Sequence, residues 1–387
     1  MRFRLFGLAI AAGLCLIATA PAVDAMPPDV RAGMLRATDL LLDLDADAAE
    51  AGCRQLLTLP QGEAAGRFCE GLVTLTRGAD LDDPTPALTQ FLAQAKAAIK
   101  AGDVQERADP GDAELRLLLG LAHGSRAMVN GDRKNYLAAL ADLRDANRLF
   151  AEALRLDPRL IDAYYGIGIY AYSVSHLPSL LKPLVALVAS PESPGRGLQD
   201  LERVAEHGTY LKMIARLVLL ELYTGREGRY AEALRLGRDL LQRYPGNPDI
   251  YFATAYAASK LGHFAEALEI ARQVSRRMAE GRPHFGPELT ARYNQLLGKT
   301  YMDQGEYAAA LTFFQRAVEA PTPVRFHWVT AWAWTRSGMI HDLQGDREEA
   351  VRRYRKALDV GSGSLAGDLA RRYLETPYRG GEEPSTS

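Results

Sequence analysis

What most narrows the possible folds of this 387-residue chain is a short pattern that returns within helical sequence: glycine, any residue, an aromatic ring, two residues, alanine. Gly228-Arg229-Tyr230-Ala231-Glu232-Ala233 is followed 34 residues later by Gly262-His263-Phe264-Ala265-Glu266-Ala267. After another 43 comes Gly305-Glu306-Tyr307-Ala308-Ala309-Ala310, and a weaker copy, Gly345-Asp346-Arg347-Glu348-Glu349-Ala350, starts 40 residues beyond that. From Val30 onward apolar residues recur at three- and four-residue spacing, Ala, Leu, Arg and Glu dominate, and Pro or Gly punctuates the joins. No run reads as a strand. A helical unit that repeats must bury its apolar face on its neighbours, so the pattern predicts an all-α stack of helix pairs.

These units resemble the tetratricopeptide repeat family, a helix-turn-helix of 34 residues with small residues where helices touch and rings filling the gaps. Asn294, Leu297, Gly298 and Tyr301 match the first-helix positions of one unit, and Ala310, Phe314 and Ala317 the second-helix positions. Trp334, Gly338 and His341 precede Ala350, Tyr354 and Ala357 in the last unit, and Tyr251, Ala255 and Ala258 open the one before Gly262. Upstream, Ala146, Phe150, Ala153 and Pro158 form a second helix, and Tyr164, Ile167 and Gly168 open the next unit. Gly120 and Ala146 lie 26 residues apart where Gly298 and Ala310 lie 12 apart, which predicts a longer hairpin. The resemblance implies a right-handed α-solenoid of antiparallel helix pairs over 111–378, with an insertion at 173–197 and a delayed second helix at Gly197 to Gly208. Residues 26–110 read as divergent helix pairs, and 379–387 as a disordered tail.

The first 25 residues have a different character. MRFR is followed by 16 apolar residues, Leu5 to Ala20, and by the small-x-small sequence Val23-Asp24-Ala25, the pattern of a secretory signal peptide cleaved after Ala25. An uncleaved anchor is less well matched, because about 20 apolar residues are needed to cross a bilayer. The expected location is therefore the bacterial periplasm. Cys15 leaves with the leader, and Cys53 and Cys69 remain. Each stands eight residues from Gln61 in the turn Pro60-Gln61-Gly62, so an antiparallel hairpin brings them to one height. Small neighbours (Ala49, Ala51, Gly52, Ala64, Ala65, Gly66) permit the close approach of a disulfide, and two small buried thiols at a helix interface fit the same spacing.

The net charge is −2, and −3 once Arg2, Arg4 and Asp24 are removed, which argues against a nucleic-acid partner. No H-E-x-x-H, paired C-x-x-C, phosphate loop or nucleophile elbow occurs, and the seven histidines are scattered without ligand spacing. The expectation is thus no enzyme, no cofactor and no metal. In the implied solenoid the first helix of each unit lines a concave groove. Helical registration then turns Tyr165, Tyr172, Phe252, Tyr256, Arg292, Gln295, Lys299, Trp328 and Trp332 toward it. Such side chains suit an extended protein segment, or the same rings pack against longer helices and a terminal cap. The apolar stretch Leu177 to Ala189 is too short to span a bilayer and reads as a plug inside the superhelix, or as a docking segment. The sequence therefore describes an exported, non-enzymatic scaffold that binds a protein or peptide in the cell envelope. The alternative, a glycan-binding or polysaccharide-export accessory protein, requires Trp328, Trp332 and Tyr256 to form one exposed stacking platform.

Overall fold

A computed structural model of the chain describes residues 26–175 and 194–381. The leader, the 177–189 stretch and the tail from residue 382 lie outside the described residues, as does most of the 173–197 insertion. Among the described residues every regular element is a helix. In order they are α1 (Pro28–Leu42), α2 (Ala46–Leu56), α3 (Glu63–Gly78), α4 (Thr85–Ala108), α5 (Ala113–Asp132), α6 (Tyr136–Leu156), α7 (Ala163–Ser175), α8 (Pro194–His207) and α9 (Lys212–Thr224). Then follow α10 (Tyr230–Arg243), α11 (Pro248–Lys260), α12 (Phe264–Ala279), α13 (Thr290–Asp303), α14 (Tyr307–Glu319), α15 (His327–Leu343), α16 (Arg347–Gly361) and α17 (Leu365–Glu375). Consecutive helices pack as pairs. The chain divides into two compact units between Leu219 and Leu220, within α9.

In the unit from Leu220 onward the repeating glycine is a backbone requirement. Gly262, Gly305 and Gly345 have φ of +75°, +79° and +81°, and no atom lies near the position of a side chain there. At each, the following N–H reaches back five residues at 2.9 Å: His263 to the Ala258 carbonyl, Glu306 to Tyr301, Asp346 to His341. This is the helix stop whose left-handed residue is normally glycine. The paired helices then close on a second kind of glycine. A Cβ on Gly298 would stand 2.5 Å from the Phe314 ring, and one on Gly338 would stand 2.6 Å from Tyr354.

The last pair is closed by α17, which packs on α15 and α16. The side chain of Asp342 is 1% exposed and accepts hydrogen bonds from Arg347 Nη1 (3.0 Å), Tyr354 Oη (2.8 Å) and the Tyr378 amide (2.8 Å). Arg347 Nη2 in turn donates to the carbonyls of Tyr373 and Leu374 at the end of α17. A single buried carboxylate thus binds together α15, α16 and the segment after α17.

The unit ending at Leu219 uses the same devices with different residues. Its long hairpin is present, with 20 residues in α5 and 21 in α6 against 14 and 13 in α13 and α14. Gly120 meets Phe150 as Gly298 meets Phe314, at 2.6 Å from a built Cβ. α8 packs against α7 and supplies the delayed second helix. The helix stops after α1 and α5 have the same five-residue hydrogen bonds, from Asp45 to Leu40 and from Asn135 to Asn130, both 2.8 Å. There the left-handed residues are Leu44 and Lys134, at φ 65° and 62°. Cys53 and Cys69 form a disulfide between α2 and α3, with Cα atoms 5.4 Å apart. Ala49, Ala64 and Ala65, all buried, leave room for that approach. Deeper in this unit Arg31 donates to Glu114 (2.7 Å) and to the Met26 carbonyl (3.0 Å), and the Tyr210 hydroxyl donates to the other Glu114 oxygen. Asp162 accepts the amides of Thr209, Tyr210 and Leu211, stopping the chain before α9.

Lys134→Gly is expected to raise the unfolding free energy by about 1 kcal/mol, because it relieves a left-handed lysine, and Gly305→Lys to lower it by a similar amount. Urea unfolding followed by circular dichroism reads both. Replacing Cys53 and Cys69 together by serine is expected to cost about 3 kcal/mol, the value for a loop of this size. The same urea titration, run with and without reductant, checks it.

Candidate functional site

The first helices of the repeats in the second unit, α11, α13 and α15, share a face on which cations and rings alternate. Arg292 on α13 lies with its guanidinium 4.1 Å from the centre of the Phe252 ring on α11 and 5.9 Å from that of Trp328 on α15. The same arginine is ion-paired with Asp249 at the start of α11. One turn or two further along, Lys299 is paired with Asp303 and stands 5.8 Å from the Tyr256 ring. Tyr256 meets Tyr230 edge-on at 6.1 Å, and Ser259 donates to Asp303 at 2.9 Å. Each cation is therefore fixed from two sides, by a carboxylate and by a ring face, which holds it in place while leaving its charge compensated.

Glu221, on α9, adds a further carboxylate. The residue is half-buried, yet its Oε2 is enclosed and has no hydrogen-bond donor. Burial, and then the negative charge of Asp249, push its carboxyl up to about 7.

The nine side chains that registration turns toward the groove do not form one site. Tyr165 and Tyr172 belong to the other unit and are buried, at 1% and 5% exposure, because they fill its interior on α7. Phe252 is 5% exposed and Lys299 2%, and Gln295 is buried too, so these form the floor of the face and not its open lining. Tyr256, Arg292 and Trp328 are half-buried and stand in the cation and ring rows. Trp332 is half-buried elsewhere, 4.2 Å from the guanidinium of Arg336 and packed with the core under α17. The exposed three-ring platform is thus replaced by three partly covered rings, each facing its own cation. Asp249 was within reach of sequence reasoning: it precedes Ala255 by six residues, as Arg292 precedes Gly298. Glu221 was not, because the turn after α9 is longer than those that follow and shifts the register.

Elsewhere, His123 Nδ1 lies 3.0 Å from Asp142, a pair of the kind used in proton transfer. Arg126 and Asn130 bind the same carboxylate, and the neighbouring Ser125 hydroxyl donates to the Leu121 carbonyl, so the pair clasps α5 to α6. Among the described residues no group of three or more His, Cys, Asp or Glu is placed to hold a metal ion. No described helix is long and apolar enough to cross a membrane.

Profiles described as tetratricopeptide repeat match residues 192–248, 226–285 and 288–361. Residues 192–361 belong to the tetratricopeptide repeat family. The matched residues take in α8 to α16, including all of the cation and ring rows. No curated protein matches the sequence. Among solved structures, a tetratricopeptide repeat protein from Parabacteroides merdae is similar at 17% identity and a TM-score of 0.32, over 76% of this chain and 94% of that one. Yeast Tom70 is similar at 14% identity and a TM-score of 0.40, over 81% and 63%. The human IFIT1 dimer with m7Gppp-AAAA is similar at 13% identity and a TM-score of 0.43, over 96% and 84%. Tetratricopeptide arrays are in general protein-interaction scaffolds without catalytic chemistry of their own.

Glu221→Gln is expected to stabilise the tetratricopeptide protein in a pH-dependent way. With the folded carboxyl at about 7 and the ordinary value at 4.5, the folded state binds the proton more tightly, so this group lowers stability as pH rises through that window. The variant should match the parent near pH 4.5 and exceed it by about 3 kcal/mol above pH 7. Urea unfolding at a series of pH values measures the difference.

Proposed function

We propose that this protein is a non-catalytic scaffold of the bacterial cell envelope that grips an extended segment of another protein along the face shared by α11, α13 and α15. The observation that carries the reading is the double row of fixed cations and rings, Arg292 with Phe252 and Trp328, and Lys299 with Tyr256. Rings and charged groups held in place by their neighbours lose little freedom on binding, which favours recognition of a chain laid across them.

The charge balance favours protein over nucleic acid as the partner. Arg292 is offset by Asp249 and Lys299 by Asp303, so the face has no excess of positive charge to meet phosphates. A glycan partner has less support, since stacking on sugars needs open ring faces and these rings already face cations. Export rests on the apolar leader in the sequence and is consistent with the Cys53–Cys69 disulfide, which belongs to an oxidising compartment.

A photo-crosslinking residue placed at Tyr256 in living cells is expected to give one dominant protein adduct. The same residue at the exposed Arg272 of α12 should give none, and Trp328→Ala should reduce the Tyr256 adduct at least tenfold. Equal adducts at both positions would sink the reading. Amino-terminal sequencing of the periplasmic fraction is expected to begin at Met26.

A further inference from the structure

We propose that the recess which receives Tyr378, between Asp342 of α15, Tyr354 of α16 and Tyr373 of α17, is a peptide site filled at rest by the chain's own segment 376–381, and that an extended protein segment bearing a tyrosine binds there by displacing it. The recess lies at the opposite end of α15 from Trp328, so it is separate from the cation and ring rows and does not depend on the reading given for them.

The segment after α17 is held as a short bound peptide is held. Tyr378 is buried, while Thr376, Pro377, Arg379, Gly380 and Gly381 on either side of it are exposed. Its ring meets Tyr373 edge-on with centres 5.2 Å apart, and its amide donates to Asp342 Oδ2 at 2.8 Å. The Tyr378 hydroxyl turns back to the Gly381 carbonyl at 2.7 Å, so the segment satisfies its own polar tip, and it curls at two glycines with φ of +89° and +108°. One aromatic anchor, one main-chain hydrogen bond and exposed flanks are the features by which folded domains take up extended segments of other proteins.

The walls of the recess are fixed by bonds in which the segment takes no part. Asp342 pairs with Arg347 Nη1 through both oxygens, at 3.0 and 3.1 Å, and accepts the Tyr354 hydroxyl at 2.8 Å. Arg347 Nη2 holds the end of α17 by the Tyr373 and Leu374 carbonyls, at 2.8 and 2.7 Å, and the Tyr373 ring lies 5.8 Å from that of Tyr354. With the segment gone, the buried carboxylate keeps its counter-charge and its hydroxyl donor, and Tyr373 keeps its support. What opens is one acceptor position on Asp342 and the side of Tyr373 that Tyr378 covers. A site shaped before its occupant arrives pays little for ordering, and these two features recognise a peptide N–H and an aromatic ring whichever chain supplies them. The occupant is joined to α17 by Thr376 and Pro377 alone, beyond the last helical hydrogen bond from the Thr376 amide to the Arg372 carbonyl. Its tether keeps it at an effective concentration on the order of millimolar, so a free peptide competes with it and binds more tightly once it is removed.

The probe is a fluorescein-labelled peptide amide with the sequence TPYRGG, and its binding to the full chain is read by anisotropy. Tyr378→Ala, which empties the recess, is expected to bind it at least tenfold more tightly than the parent does, and Tyr378→Phe, which keeps the ring in place, to behave as the parent. The same peptide with alanine in place of its tyrosine should bind neither chain. A second measurement needs no variant: in the parent, excess unlabelled TPYRGG should speed hydrogen exchange at the Tyr378 amide at least tenfold, because the displaced segment loses its bond to Asp342, and the alanine peptide should leave the rate unchanged. Equal binding of TPYRGG by the parent and a folded Tyr378→Ala, or none by that variant, overturns the proposal and makes the segment a fixed cap. An exchange rate that the tyrosine peptide does not move overturns it as well. Neither result bears on the crosslink at Tyr256, which tests the repeat face by itself.

Discussion

Everything in this structure depends on how closely two helices can approach. Where Gly298 faces Phe314, or Gly338 faces Tyr354, the ring fills the space a Cβ would occupy, so the contact exists only because one partner has no side chain. The same relation holds between Gly120 and Phe150 in the other unit, across a hairpin half as long again. At the intervening pair, Ala255 and Ala271 are both buried and two small residues achieve the same approach without a ring. Close-packed interiors tolerate little change in volume, and here that intolerance sets the spacing of the helices and hence the spacing of the rows on their outer face.

The sequence was most legible where backbone geometry admits one residue. Left-handed turns at Gly262, Gly305 and Gly345 call for glycine, and those three positions mark the repeats plainly. Upstream the identical turn is made by Leu44 and Lys134, so its signature vanishes from the sequence though its hydrogen bonds remain. Side-chain roles on the shared face were less legible. Helical registration gives the direction of a side chain but not the length of its neighbours, and Phe252 and Lys299 are covered. Trp332 went astray because α17 brings a further core against the last repeat, and it is drawn into that core. Glu221 could not be placed from the sequence, since the longer turn after α9 breaks the count that locates the other positions.

The charges on the repeat face follow one rule. Arg292 and Lys299 are long side chains whose freedom is removed twice over, by an acid and by a ring, so their geometry is set before any partner arrives. Asp342 shows the structural form of the same device: three donors saturate it and it ties the end of the repeats together. Glu221 Oε2 is enclosed and has no hydrogen-bond donor.

Helix-pair repeats are open-ended in principle, since the surface that accepts one pair is copied on the next and any pair can add to an exposed end. α17 interrupts that succession. Its inner side gives Leu369, Ala370 and Tyr373 to the core over Tyr354, while Asp368, Arg371, Arg372 and Glu375 face water. The last repeat thus ends in a charged surface, unlike the apolar side on which a further pair would pack.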